Sequence, residues 1–319
     1  TDAGEILERG RLLGLHYLGY GVMEAFDGKN TKAGRLTRPM LPGGQFTVSC
    51  RFSRLAEPRQ IDEARRALVL LGTVGGLGSK SRKGFGSLTL TSLAIDGEDH
   101  ELPHSVAERL AMVLHELQNG LPDWTAWSSN SRVVVTTPNR VARAVDVLDA
   151  LGREEVFFRS WGRNGIVLRQ PSEQNFQVDH DMSKGLTTGS QHPFRIAFGL
   201  PHNYGKGSQN EVAPEKGDRR ASPLFLHVHQ LSDDDTPRGV AFFLPAGFLA
   251  AGVRVRAFGR SVSLDATESF WFPIHAFLDR LAADATPPEF RPGYEHFPDG
   301  SGWWQKQDQS INAKEVSLG

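Results

Sequence analysis

The thirteen residues Gly75-Gly76-Leu77-Gly78-Ser79-Lys80-Ser81-Arg82-Lys83-Gly84-Phe85-Gly86-Ser87 hold five glycines and three cations. Glycines let backbone N–H groups close on a ligand and take up positive φ, while Lys80, Arg82 and Lys83 supply charge that phosphate oxygens neutralise. The chemistry this composition suits is phosphate contact. A triphosphate-binding loop of the form G-x-x-x-x-G-K-[ST] follows a strand and carries its lysine directly after the last glycine. Here Ser79 separates Gly78 from Lys80, and the preceding segment has helical periodicity. A dinucleotide fingerprint fails as well, because G-x-G-x-x-G would put glycine where Ser81 stands. Lys83-Gly84-Phe85-Gly86 does match the start of the RNP1 signature of RNA-recognition domains, but Ser87 and Leu90 occupy its later aromatic positions. Base stacking on this segment is thus largely lost. What remains is sequence-tolerant, salt-dependent contact with a nucleic-acid backbone, against the plainer alternative of a glycine turn with a solvated basic tip.

Other residue groups carry weaker signals. His227 and His229 lie two apart in an expected strand and would share a face, as metal ligands can, with Asp233-Asp234-Asp235 close by. No third ligand is placed, so ordinary strand histidines are favoured, and neither metal nor cofactor is expected. Asp179-His180-Asp181 falls in a polar stretch and reads as solvated loop. Arg219 and Arg220 suit either phosphate or the acidic residues of a neighbouring subunit. Trp303 and Trp304 suit anchoring of a tail in a protein groove more than base stacking, and Trp124 and Trp127 suit packing. Cys50, the sole cysteine, excludes an intramolecular disulfide and a multi-cysteine zinc site, and reads as strand packing.

The elements that must position these groups follow from periodicity. A chain of 319 residues, 39% hydrophobic and 23% charged, fits two domains of ordinary size. Residues 1–95 carry 14 Lys+Arg against 8 Asp+Glu, and the remainder 22 against 29, so the basic excess travels with the glycine loop. No apolar run approaches the roughly 18 residues that span a bilayer, and no signal-peptide layout opens the chain. A cytoplasmic protein without membrane or small-molecule partner is expected. Residues 1–26 read as a short helix and a glycine turn, Gln45–Phe52 as an alternating strand, Ile61–Leu71 as a helix stopped by Gly72, and Ser87–Leu93 as a second strand. Strand, helix, loop, strand is the second half of a ferredoxin-like βαββαβ unit, whose opening strand and helix are not evident. Further on come helices at 105–118, 139–151 and 271–284. Strands are expected at Ser131–Thr136, Phe194–Gly199, Leu224–Gln230, Val240–Leu244 and Val253–Phe258, and an exposed loop at 171–192. This irregular mixture favours α+β, with domains at 1–100 and 101–284 and an irregular docking tail at 285–319.

The helix running into the glycine loop resembles the glycine-rich loop of the RAMP superfamily of CRISPR-associated proteins. Three further segments point within it to subunit one of the type III-B Cmr effectors: Pro42-Gly43-Gly44-Gln45-Phe46, Phe198-Gly199-Leu200-Pro201, and Arg219-Arg220-Ala221-Ser222-Pro223-Leu224. The resemblance implies tandem ferredoxin-like (RRM-like) RAMP domains in a non-catalytic subunit of antiviral defence. Such a subunit holds the 3′ portion of the guide RNA (crRNA), or the guide–target RNA duplex, beside other Cmr subunits. RNA contact carries over to Gly75, Gly76, Gly78, Ser79, Lys80, Ser81, Arg82, Lys83 and Gly84. Some members of the superfamily are metal-independent ribonucleases with a histidine as general base. Processing of precursor guide RNA by His16 is therefore the alternative, although its place between Leu15 and Tyr17 favours packing.

Overall fold

The computed structural model describes residues 12–22, 37, 43–136, 143–186, 192–205, 210–217, 219–231, 235–249, 252–264, 268–282 and 313–318. Its helices are α1 (Leu13–Leu18), α2 (Pro58–Val74), α3 (Val106–Val113), α4 (Ala144–Arg159), α5 (Gln177–Ser183) and α6 (Phe272–Ala282). The strands are β1 (Leu93–Ile95), β2 (Glu98–His100), β3 (Arg132–Thr136), β4 (Ile166–Val167), β5 (Gln170–Pro171) and β6 (His202–Asn203), then β7 (Glu211–Pro214), β8 (Leu224–His229), β9 (Arg238–Phe243), β10 (Val255–Ala257), β11 (Arg260–Val262) and β12 (Ala313–Val316). The fold is α+β, and no described helix is long and apolar enough to cross a membrane. Local chemistry sets the helix starts. Pro58 opens α2, where its missing N–H costs nothing, and Ser105 opens α3 by accepting the Glu108 N–H at 3.1 Å.

The principal sheet has the order β12-β3-β9-β8, every neighbour antiparallel. Around it the chain runs β3-α4-β8-β9-α6-β12, so the fourth strand lies beside the first and the second forms an edge. Strand alternation divides the side chains between two cores. Val134, Leu226, Ala241 and Phe243 belong with Leu148 and Leu151 of α4 and Phe277 of α6. Val133, Val240 and Phe242 belong with Val69 of α2 and Val106 and Leu110 of α3. Both faces of the sheet are therefore covered. A second sheet, β11-β10-β7-β6, is built from shorter strands.

Six expectations are corrected. Residues 45–52 form no strand: alternation marks a face, but a ladder needs a neighbour, and none lies alongside among the described residues. Phe46, Val48 and Phe52 are exposed, and so is Cys50, which does not pack. Residues 88–92 are not strand either; they lie against the end of α2, where Leu90 N–H donates to Gly72 O at 2.7 Å, and the hairpin β1–β2 begins beyond them. Phe194–Phe198 is a 3₁₀ helix, because the Asp179 carboxylate takes the N–H groups of Phe194 and Arg195 at 2.7 and 2.9 Å. The same carboxylate is fully buried on α5, so Asp179 does not belong to an exposed loop. Finally, the tail is not irregular throughout, because residues 313–316 pair with β3. Pro42, Asp233, Asp234, Trp303 and Trp304 lie outside the described residues.

Candidate nucleic-acid interface

Gly75 closes α2 by donating its N–H to Leu71 O at 3.0 Å, and the chain then folds back on itself through residues 76–87. Leu77 N–H donates to Gly86 O at 2.9 Å, Lys83 N–H donates to Lys80 O at 2.8 Å, and Gly76 bridges Ser87. Two positions combine positive φ with a blocked Cβ. At Gly86, with φ 67°, a Cβ would stand 2.1 Å from Leu77 O; at Gly84, with φ 82°, it would stand 2.4 Å from Leu148 Cδ1. Gly78 also has positive φ, and Lys80 holds φ 66° without that freedom.

The loop is docked on the edge of the principal sheet. Leu226 N–H of β8 donates to Arg82 O at 3.0 Å, using a backbone group that an edge strand would otherwise expose. The Arg82 guanidinium donates to Ser222 O at 2.7 Å and lies 4.7 Å above the Phe225 ring. Lys83 Nζ meets Glu155 Oε1 of α4 at 2.6 Å, and Arg159 reaches the same oxygen at 2.6 Å. Burial outweighs Glu155 at Lys83 and lowers its pKa. Burial pushes Glu155 up, but Lys83 and Arg159 outweigh it and hold the carboxyl below its usual range. Arg82 and Lys83 thus bind the loop to the body of the protein.

The outer rim is different. Leu77, Gly78 and Ser79 are exposed, and Lys80 and Ser81 are half-buried. Lys80 makes no ion pair with a carboxylate among the described residues. Its pKa is lowered by burial and then by Arg219, which is exposed, with Glu155 opposing. A cation held down by burial and by a neighbouring cation is one that an anion relaxes.

Three of the segments singled out by sequence meet here. Leu200 N–H donates to Arg220 O at 2.7 Å and Arg220 N–H to Leu200 O at 3.1 Å, while Ser222 O takes the Arg82 guanidinium. Gly43 to Phe46 are exposed and make no such junction. Arg220 is turned inward, its Nε donating to Phe248 O at 2.6 Å. Glu155 and Phe225 were missed by sequence reading; the spacing of Glu155 and Arg159, one helical turn apart, was the one available signal.

The remaining candidates are placed as follows. His227 and His229 are buried on the sheet face toward α2, ring centroids 6.0 Å apart. Burial, then the neighbouring histidine, lowers His227 to about 3; burial, then Arg109, lowers His229 to about 4. Among the described residues no three His, Cys, Asp or Glu side chains are grouped to hold a metal ion. His16 is half-buried on α1. Trp127 stacks on Phe242 at 5.7 Å, but Trp124 is 82% exposed and does not pack as expected. Comparison of the chain with protein families, with curated proteins and with solved structures returns no match in any of the three.

Proposed function

We propose that this chain is a non-catalytic RNA-binding subunit of a type III-B CRISPR effector, built on ferredoxin-like units and contacting guide RNA or the guide–target duplex through its backbone. The observation that carries this reading is the glycine loop docked on the edge strand of a βαββαβ sheet with its rim turned outward. Strand order fourth-first-third-second is that of a ferredoxin-like unit. The sheet face that an RNA-recognition domain uses for base stacking is filled here by α2 and α3, which favours backbone contact at the edge. In this reading Gly78, Ser79, Lys80 and Ser81 meet the RNA together with Arg219. Gly75, Gly76, Arg82, Lys83 and Gly84 shape and hold the loop that presents them.

The test is titration of labelled single-stranded RNA across a salt series. The double variant Lys80→Ala/Arg219→Ala should bind about tenfold more weakly, and its log–log salt slope should flatten by about 1.4, roughly 0.7 per lost phosphate contact on a single strand. Unchanged affinity and slope would remove the loop from the interface. Metal-free incubation with precursor guide RNA belongs to the same experiment. Discrete products that vanish in His16→Ala would replace the binding reading by ribonuclease processing.

A further inference from the structure

A cleft of about 480 Å³ opens between the end of α4, α5 and β6. Its size is that of a small-ligand site. Arg159 and Arg195 line it, their side chains only 12% and 10% exposed. Each is paired: Arg159 with Glu155, and Arg195 with Asp179 at 3.3 Å. Lys83 shares Glu155, so this network sets three cations against two carboxylates. His202, which also lines the cleft, does not offset that charge: burial, then Arg159 and Arg195, hold it neutral. The phenols of Tyr17 and Tyr204 are likewise held neutral, by burial first. One Arg159 atom, Nε, is buried without a hydrogen-bond partner. Glu155 Oε2 is unpaired in the same way, so it is the desolvated positive excess along the cleft that suits an anion.

The same cleft is lined by flat rings. Trp161 and His180 stack on each other with centroids 4.1 Å apart at 14°, and His202 lies 4.7 Å from Tyr204. Asn203, exposed on β6, and Ser183 add hydrogen-bonding edges. An anion alone would not need this aromatic wall, and an apolar ring alone would not need two guanidiniums.

We propose that this cleft receives one nucleotide of the bound RNA, its phosphate held by Arg159 and Arg195 and its base laid against the Trp161–His180 pair. The proposal rests on the RNA-binding reading, which it deepens. Glu155 joins the two surfaces, because it pairs both Lys83 of the loop and Arg159 of the cleft. An RNA backbone held at the loop rim could in this way place a splayed nucleotide in the cleft.

The probes are uridine monophosphate, uridine and a short single-stranded oligouridylate, measured by calorimetry against the intact protein. Substitution of Arg159 or Arg195 would break buried ion pairs, so the variants are Trp161→Ala and Asn203→Ala, checked for an unchanged melting temperature. Uridine monophosphate should bind, compete with the oligonucleotide, and outbind uridine by about tenfold; Trp161→Ala should weaken both phosphate-bearing ligands about tenfold. Monophosphate binding that the variants abolish, with no competition from oligouridylate, would overturn the proposal in favour of a free nucleotide. No monophosphate binding, together with unaltered oligonucleotide affinity in the variants, would overturn it outright. If Lys80→Ala/Arg219→Ala still weakens oligonucleotide binding in that case, the RNA-binding reading survives the loss of the cleft.

Discussion

Lys80 and Lys83 stand three residues apart in one loop, yet Lys83 meets Glu155 at 2.6 Å while Lys80 has no ion pair among the described residues and is depressed by burial and then by the charge of Arg219. What lies behind a cation decides whether it holds the fold or meets a ligand, and residue type does not report it. The same holds for His227 and His229, which a strand pattern offered as ligands and the structure buries as neutral rings between β8 and α2. Arg109 and Arg238 disfavour protonation of His229, and Asp235 opposes them. As pH falls below about 6.5 the unfolded chain takes up protons that these folded imidazoles refuse until about 3 and about 4, so stability falls through that window. Between pH 7 and pH 5 the loss should approach about 2 kcal/mol per histidine, from about 1.36 kcal/mol per pKa unit. Denaturant unfolding at the two pH values reads this loss, and His227→Phe should flatten the dependence. An unchanged slope in that variant would show that other groups govern acid sensitivity.

At the scale of elements, α1 and α4 approach through glycines. A Cβ on Gly152 would stand 2.4 Å from Gly14 O, and Leu15 N–H of α1 donates to Asp149 Oδ1 of α4 at 2.9 Å. Gly152→Ala should therefore destabilise despite its better helix propensity, by about 1–3 kcal/mol through overpacking against backbone that cannot move aside. Chemical denaturation should show a lower midpoint at unchanged m; a neutral or stabilised variant would mean that the helices can separate at no cost. Helix α5 was read as loop, but the other helices were legible in the sequence, because apolar residues such as Leu68 and Leu71, or Leu148 and Leu151, repeat at helical spacing. The pairings were not. Residues 45–52 alternate as a strand should without acquiring a neighbour, and Ala313–Val316 pairs without alternating. The 3₁₀ turn at Phe194 depends on Asp179, fifteen residues away. Of the candidate site, composition announced the loop and its glycines. The inward turn of Arg82 and Lys83 depends on Ser222 and Glu155, which no local pattern connects to the loop.

For the whole molecule, one sheet organises everything else, with α4 and α6 on one face, α2 and α3 on the other, the glycine loop on one edge strand and β12 at the opposite edge. This gives the last strand a weight that its four residues do not suggest. Arg132 of β3, 10% exposed, holds Asp279 of α6 at 2.6 Å and Glu315 of β12 at 2.6 Å, so the outer strand, the first strand and the second helix share one guanidinium. A domain boundary at residue 284 would cut this arrangement. A chain ending there should expose the β3 edge, lose the Glu315 contact, and melt at a lower temperature with a tendency to self-associate through the open edge. Arg132→Met isolates the charge contribution while keeping the strand. It removes the guanidinium that meets the buried Asp279 at 2.6 Å, a loss of about 3–5 kcal/mol for a broken buried pair. Calorimetry and sedimentation of the two variants separate the terms, since only the shortened chain opens a strand edge. If the shortened chain instead remains monomeric and melts with the intact protein, β12 is an accessory strand, and the fold that carries the loop is complete without it.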